Sequence, residues 1–145
     1  MRPIVVRGGG DLATGTIHRL SRSGYPVVIL ETDRPSAIRR LVAFSQAVYD
    51  GETEVEGMVC RRVESAEAAL ALAAPLAPVL LVDPACSSLD TLRPEVLVDG
   101  ILAKRNLGTT RDMAELTIAL GRDLRPGVMW IMWLRQSGGI IWAEY

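Results

Sequence analysis

Short, unbroken apolar runs alternate along this chain with glycine-rich breaks and with longer stretches of helical periodicity. The first run, Pro3-Ile4-Val5-Val6, is rich in β-branched residues and leads within two positions into Gly8-Gly9-Gly10. That pattern predicts a buried strand ending in a tight turn. Residues 11–23 then place Leu12, Ile17, His18 and Leu20 on one side of a helix, with Gly24 as its stop. Pro26 to Leu30 repeats the strand pattern and Glu31 stands at its carboxyl end. After Pro35 the spacing predicts a second helix to Gly51, with Ile38, Leu41, Val42, Ser45 and Val48 sharing a face and Arg39 and Arg40 off it.

Residues 52–63 alternate polar and apolar positions around Gly57, as an antiparallel hairpin does. Ser65 precedes an alanine- and leucine-rich segment and is a good helix cap. "PVLLVDP" and "PEVLVDGIL" are two further buried strands, carrying Asp83 and Asp99 at or near their carboxyl ends, and a last helix is predicted from about Asp112 to Gly121. Continuously apolar strands alternating with helices indicate an α/β fold. The expected architecture is Rossmann-like, a mainly parallel sheet covered by helices on both faces, with a small β-hairpin insertion. Residues 1–128 are expected to form the nucleotide-binding domain, and 129–145 an atypical apolar tail of the same domain.

Composition narrows the function classes. At 145 residues there is room for one domain, and sixteen basic against seventeen acidic residues leave no field to recruit nucleic acid or an anionic membrane. Two cysteines and a single histidine are too few for a structural zinc site. The longest uncharged run, residues 68–82, is broken by Pro75 and Pro78, and the start has no signal-peptide core. The expectation is a cytoplasmic protein with Cys60 and Cys86 reduced.

The glycines carry the most specific chemistry. Gly8, Gly10 and Ala13 match the pattern in which a first glycine allows the turn, a second admits a pyrophosphate to the backbone amides, and a small third residue lets helix and strand pack closely. Gly9, Asp11 and Thr14 complete the candidate phosphate loop, and Glu31, about twenty residues on, stands where an acid would bind ribose hydroxyls. A tight turn alone also favours glycine, but three in a row cost conformational entropy that a mere turn does not require. Asp11 suits the helix dipole yet competes with a phosphate for the same amides. His18 reads as a packed residue rather than a base. Arg39 and Arg40, with Lys104, Arg105 and Asn106 in "AKRNLGTT", are secondary candidates for anionic parts of a ligand or partner, and Asp83 and Asp99 for polar groups of the crevice. Cys86 is either a reactive thiol or a small loop residue.

"RGGGDLATG", "AIRR", "AVYDG", "LLVDP" and "VDGILAKRNLGT", in that order, resemble the YqeB family of accessory proteins associated with selenium-dependent molybdenum hydroxylases. The likeness runs from residue 3 to about 128 and extends to the Rossmann-like part of XdhC, a maturation factor for xanthine dehydrogenase. It implies a role in finishing or inserting a molybdenum cofactor, with a molybdopterin cytosine dinucleotide as ligand and a molybdenum hydroxylase apoenzyme as partner. An NAD(P)-dependent oxidoreductase and a non-catalytic nucleotide-sensing module stay open as alternatives. From about residue 129 the chain departs from the family pattern, with three tryptophans and two methionines between 129 and 142. Because methionine and tryptophan each have one codon, a one-base shift from the Val128 codon forces Val-Asp-x-Val. Permitted codons then continue it as "VETKRGHNLGRV", the family's continuation, so a frameshift is expected here, with a genuine final strand as the alternative. Trp130, Trp133 and Trp142, if exposed, would favour self-association into a homo-oligomer.

Overall fold

The computed structural model describes residues 1–101, 108–110, 112–122, 129–135 and 140–144. Its centre is β1 (Ile4–Arg7), which pairs in parallel with β2 (Val27–Glu31) on one side and with β6 (Val96–Asp99) on the other. β5 (Val79–Val82) continues the parallel array beyond β2, and β4 (Met58–Val63) beyond β5. The hairpin partner β3 (Glu52–Val55) forms one edge, joined to β4 through Glu56 and Gly57, both at positive φ. That two-residue connection has the twist a hairpin needs. β7 (Leu116–Arg122) lies parallel beside β6, and β8 (Met129–Arg135) and β9 (Ile140–Glu144) follow antiparallel. The nine-stranded order is β3-β4-β5-β2-β1-β6-β7-β8-β9, an α/β sheet of Rossmann-like character.

The central strands are apolar up to their last residue, Arg7, Glu31 or Asp99 in β1, β2 and β6, because both faces of the sheet are covered. Val6, Ile29, Leu80 and Val98 face α1 (Asp11–Arg22), where they meet Ala13 and Ile17 together with Phe44, Ala47 and Val48. Val5, Val28, Leu30, Leu81 and Leu97 face the other way, against Ala66 and Ala69 of α3 (Ala66–Leu72) and Leu92 of α4 (Leu89–Leu92). Alternate residues of one strand thus feed two separate cores. Ser65 caps α3 as expected, its hydroxyl accepting the Ala68 N–H at 3.1 Å. Gly24 ends α1 at φ +96, while Tyr25 N–H reaches back to the Leu20 carbonyl. Among the described residues no helix is long and apolar enough to cross a membrane.

Two predicted helices are corrected. Residues 36–50 form two 3₁₀ turns, Arg40–Val42 and Phe44–Gln46, and only a short α2 (Ala47–Asp50), with Ala43 in extended conformation between the turns. Hydrogen bonds to α1 and the glycine turn explain this. Phe44 N–H donates to Thr14 Oγ1 at 3.0 Å and Ser45 N–H to the Gly9 carbonyl at 2.8 Å, which removes the intrahelical pattern. Ile38 and Leu41, expected on a buried face, are 93% and 89% exposed. The helix predicted from Asp112 to Gly121 is instead strand β7 from Leu116 onward, registered from Val96↔Leu116 to Asp99↔Ala119. β-Branched Thr117 and Ile118 suit the pleat, and pairing beside β6 overrides the local helical spacing. Leu12 also leaves the expected face of α1, at 47% exposure, while Thr14 and Ser21 are buried there. The backbone at 129–135 adopts the strand held above as the alternative reading.

Ile17→Ala, in the fully buried centre of α1, should lower unfolding stability by about 2–5 kcal/mol. Ile38→Ala should change it by less than about 0.5 kcal/mol. Urea denaturation of both variants checks the assignment, since a helix over 36–50 would make the second loss as large as the first.

Candidate functional site

The carboxyl ends of β1, β2, β5 and β6 open into a cavity of about 630 Å³. The chain leaves β1 toward β2 on one side and later returns to β6 on the other, which makes this edge the topological switch point where open α/β sheets hold ligands. Arg7, Gly8, Gly10, Asp11, Glu31 and Asp83 are among its lining residues.

The glycine turn is built by close backbone approach. Gly8 sits at φ +93, and a Cβ there would come within 3.2 Å of the Ile101 nitrogen. At Gly9 it would meet Ile29 Cγ2 and the Ser45 nitrogen, each at 3.2 Å. Gly10 differs from both: its φ is −64 and a Cβ would meet nothing within 4 Å. The third small residue of the pattern packs as its role requires, because a Cβ on Gly100 would stand 2.9 Å from the Ala13 Cβ. Sequence reasoning passed over Gly100, whose only signal is its place directly after Asp99 at a strand end.

Glu31 is tied to the same turn. Its Oε2 accepts the Gly9 N–H at 2.7 Å and its Oε1 the Thr32 N–H at 2.8 Å. Gly9 therefore gives its amide to a carboxylate of the protein and is not available to an outside acceptor. Gly10 caps α1 with no side-chain hydrogen bond. Thr14 lies behind the turn, buried, its hydroxyl donating to the Gly10 carbonyl at 2.7 Å. Asp11 stands at the mouth with its Oδ2 3.6 Å from Arg39 Nε.

Of the other candidates, Arg40 is held over the Tyr49 ring at 5.8 Å and does not line the cavity. Asp83 lines it but is engaged by protein: it accepts the N–H and hydroxyl of Ser87 at 3.1 and 3.0 Å and those of Ser88 at 2.8 and 2.5 Å. Burial pushes this carboxyl up, but the hydrogen bonds from Ser88 and Ser87 outweigh burial and hold it below its ordinary value. Asp99 Oδ1 accepts the Ile101 N–H at 3.0 Å. Lys104, Arg105 and Asn106 lie outside the described residues. His18 lies outside this cavity, 3.9 Å from Glu56 across α1 and the β3–β4 turn.

Both cysteines are free. Cys60 belongs to the core, where burial pushes its thiol up to about 12. Burial also raises the Cys86 thiol, against the attraction of Arg7 and with the repulsion of Asp83 and Asp99. Neither is an activated thiolate. The residue that sequence reasoning missed is Arg7 itself. Its signal is a charged residue ending an otherwise apolar strand immediately before the glycines.

Gly8→Ala should destabilise the fold by more than about 1 kcal/mol, because it meets both a positive φ and a backbone neighbour, whereas Gly10→Ala should leave the melting temperature unchanged. Thermal unfolding of the pair tests this division of roles. For Asp83, a folded pKa below the unfolded value means its contribution is present above about pH 4 and is lost as pH falls through that range. The stability gap between the wild type and Asp83→Asn, followed by urea unfolding from pH 7 to pH 3, should therefore close on the acid side; a gap independent of pH would refute the assignment.

No family model matches the chain. It is 49% identical over 124 residues, 86% of its length, to a protein of Escherichia coli (strain K12) described as uncharacterized protein YqeB. The chain spans 23% of that protein's length. Over those 124 residues the chain is similar to YqeB.

Proposed function

We propose that the crevice holds the nucleotide end of a ligand and that the chain serves as an accessory factor in the maturation of a molybdenum hydroxylase, with a molybdopterin cytosine dinucleotide as the ligand class. The observation that carries the nucleotide reading is the pinned Glu31 carboxylate beside the α1 N-terminus. A carboxylate offers about four acceptor sites, and the Gly9 and Thr32 amides take two. The remainder suit the vicinal hydroxyls of a ribose. A phosphate then falls to the first-turn amides of α1, beside the open space at Gly10, where helix polarity favours an anion. Arg39 offsets the opposing charge of Asp11. A cavity of about 630 Å³ is in the usual range for small-molecule sites.

The maturation role rests on the resemblance of the "GGGDLATG" and "AKRNLGT" strings to accessory proteins of molybdenum hydroxylases, and on homology to YqeB. Within it Gly8, Gly9, Gly10, Ala13 and Thr14 shape the phosphate end and Glu31 the ribose, while a hydroxylase apoenzyme is the partner. A nicotinamide dinucleotide is the second reading, and the same Glu31 favours it in the form without a 2′-phosphate, which the carboxylate would repel.

Calorimetric titration of the full chain with CDP, ADP and NAD should give saturable binding. Gly10→Val should weaken it by about tenfold or more, about 1.4 kcal/mol, with the fold intact. Glu31→Gln should weaken ribonucleotides while leaving the 2′-deoxy forms unchanged. Equal affinity in Gly10→Val, or no binding of any of the three, would sink the nucleotide site. The maturation role predicts that the chain raises the activity recovered when a hydroxylase apoenzyme is loaded with its dinucleotide cofactor; saturable binding with no effect on loading would leave a sensing module instead.

A further inference from the structure

Arg7 ends β1 on the sheet face opposite to Glu31 and Gly9, with only 9% of its surface exposed, and it lines the crevice. Its Nη1 donates to Thr109 Oγ1 at 2.9 Å and its Nη2 to the Pro84 carbonyl at 3.1 Å. Both acceptors are uncharged. Among the described residues no carboxylate pairs with this guanidinium. Asp99, at the end of the adjacent β6, and Asp83, just past the end of β5, lie on the same side, but their oxygens take hydrogen bonds from Ile101, Ser87 and Ser88 instead. A guanidinium has five N–H donors, of which these contacts use two. A cation removed from water without a counter-charge is costly to keep, and structural stapling of two loops would need only a neutral donor. A fixed, planar fork lining an open cavity is the arrangement that recognises a tetrahedral oxyanion.

We propose that Arg7 is an oxyanion-recognition residue at the β1–β6 end of the crevice, taking a phosphate-class group that is either an ester carried by the distal part of the ligand or a free oxyanion. Thr109 and Pro84 position the guanidinium. The proposal rests on the crevice being a ligand site, as the nucleotide reading does, but it places its anion on the other face of β1 from the glycine turn, so the two can fail separately.

The test titrates the full chain with inorganic phosphate and then methyl phosphate at constant ionic strength, following backbone amide shifts by NMR. Saturable binding is expected, weakened about tenfold or more in Arg7→Lys, which keeps the charge but loses the fork, and abolished in Arg7→Met. If Arg7→Met does not fold, Arg7→Lys decides. Methyl phosphate binding as well as phosphate assigns the site to an ester; binding of phosphate alone assigns it to a free oxyanion, and both support Arg7. Absence of saturation below about 20 mM phosphate in the wild type, or unchanged affinity in Arg7→Lys, overturns it. Phosphate bound through Arg7 in a chain that binds no nucleotide would refute the nucleotide reading and leave this one standing.

Discussion

Backbone approaching backbone at Gly8 and Gly9 is the constraint around which the crevice is arranged. Gly8 N–H donates to the Leu30 carbonyl at 2.8 Å, and Gly100 N–H to the Arg7 carbonyl at the same distance. These bonds carry the parallel pairing of β1 with β2 and β6 past the ends of the strands. Gly9 gives its N–H to Glu31 and accepts the Ser45 N–H. Three consecutive residues, Arg7, Gly8 and Gly9, thus tie β2, β6 and the 43–45 segment to one point, and the close approach at the two glycines leaves no room for a Cβ. The floor of the crevice is consequently made of main chain, and the side chains that reach it come from its rim.

The same bonds set the limit of what could be read from the sequence. β1, β2, β5, β6 and α1 were legible because their signal is local: apolar runs of strand length, and helical spacing between a glycine start and a glycine stop. That Gly8, Gly10, Ala13 and Glu31 meet at one end of the sheet was legible because order and separation along the chain are part of the pattern. Residues 36–46 were not, since their apolar spacing fits a helix and only the bonds to Thr14 and Gly9, some thirty positions away, divert them. β7 was misjudged for a similar reason, its pairing partner β6 being invisible to periodicity. Arg7 was overlooked because its meaning lies in partners 77 and 102 positions distant.

The diversion of residues 36–46 has a consequence for the rim. A helix would have turned Ile38 and Leu41 inward, whereas the observed turns leave them in solvent, with Ile38 and Leu12 both bordering the crevice. Exposed apolar groups beside a concave cavity are surface that the proposed ligand would bury. The sequence breaks its own helical preference where it meets the glycine turn, because the bonds to Thr14 and Gly9 outweigh local spacing.

Charge is divided across β1. On the α1 face the fixed groups accept hydrogen bonds at Glu31 and offer amide donors only at the helix terminus, while on the α3 face Arg7 presents a buried cation. Alternation along β1 and β2 produces this division: Val5 and Arg7 look one way, and Ile29 and Glu31 the other. A symmetric anion would gain nothing from the second half. A molecule with hydroxyls at one end and an anionic group at the other can satisfy both, in one orientation only. For the ligand proposed above, the polarity of the crevice would therefore set direction as well as affinity, through groups that the strand pleat fixes beforehand.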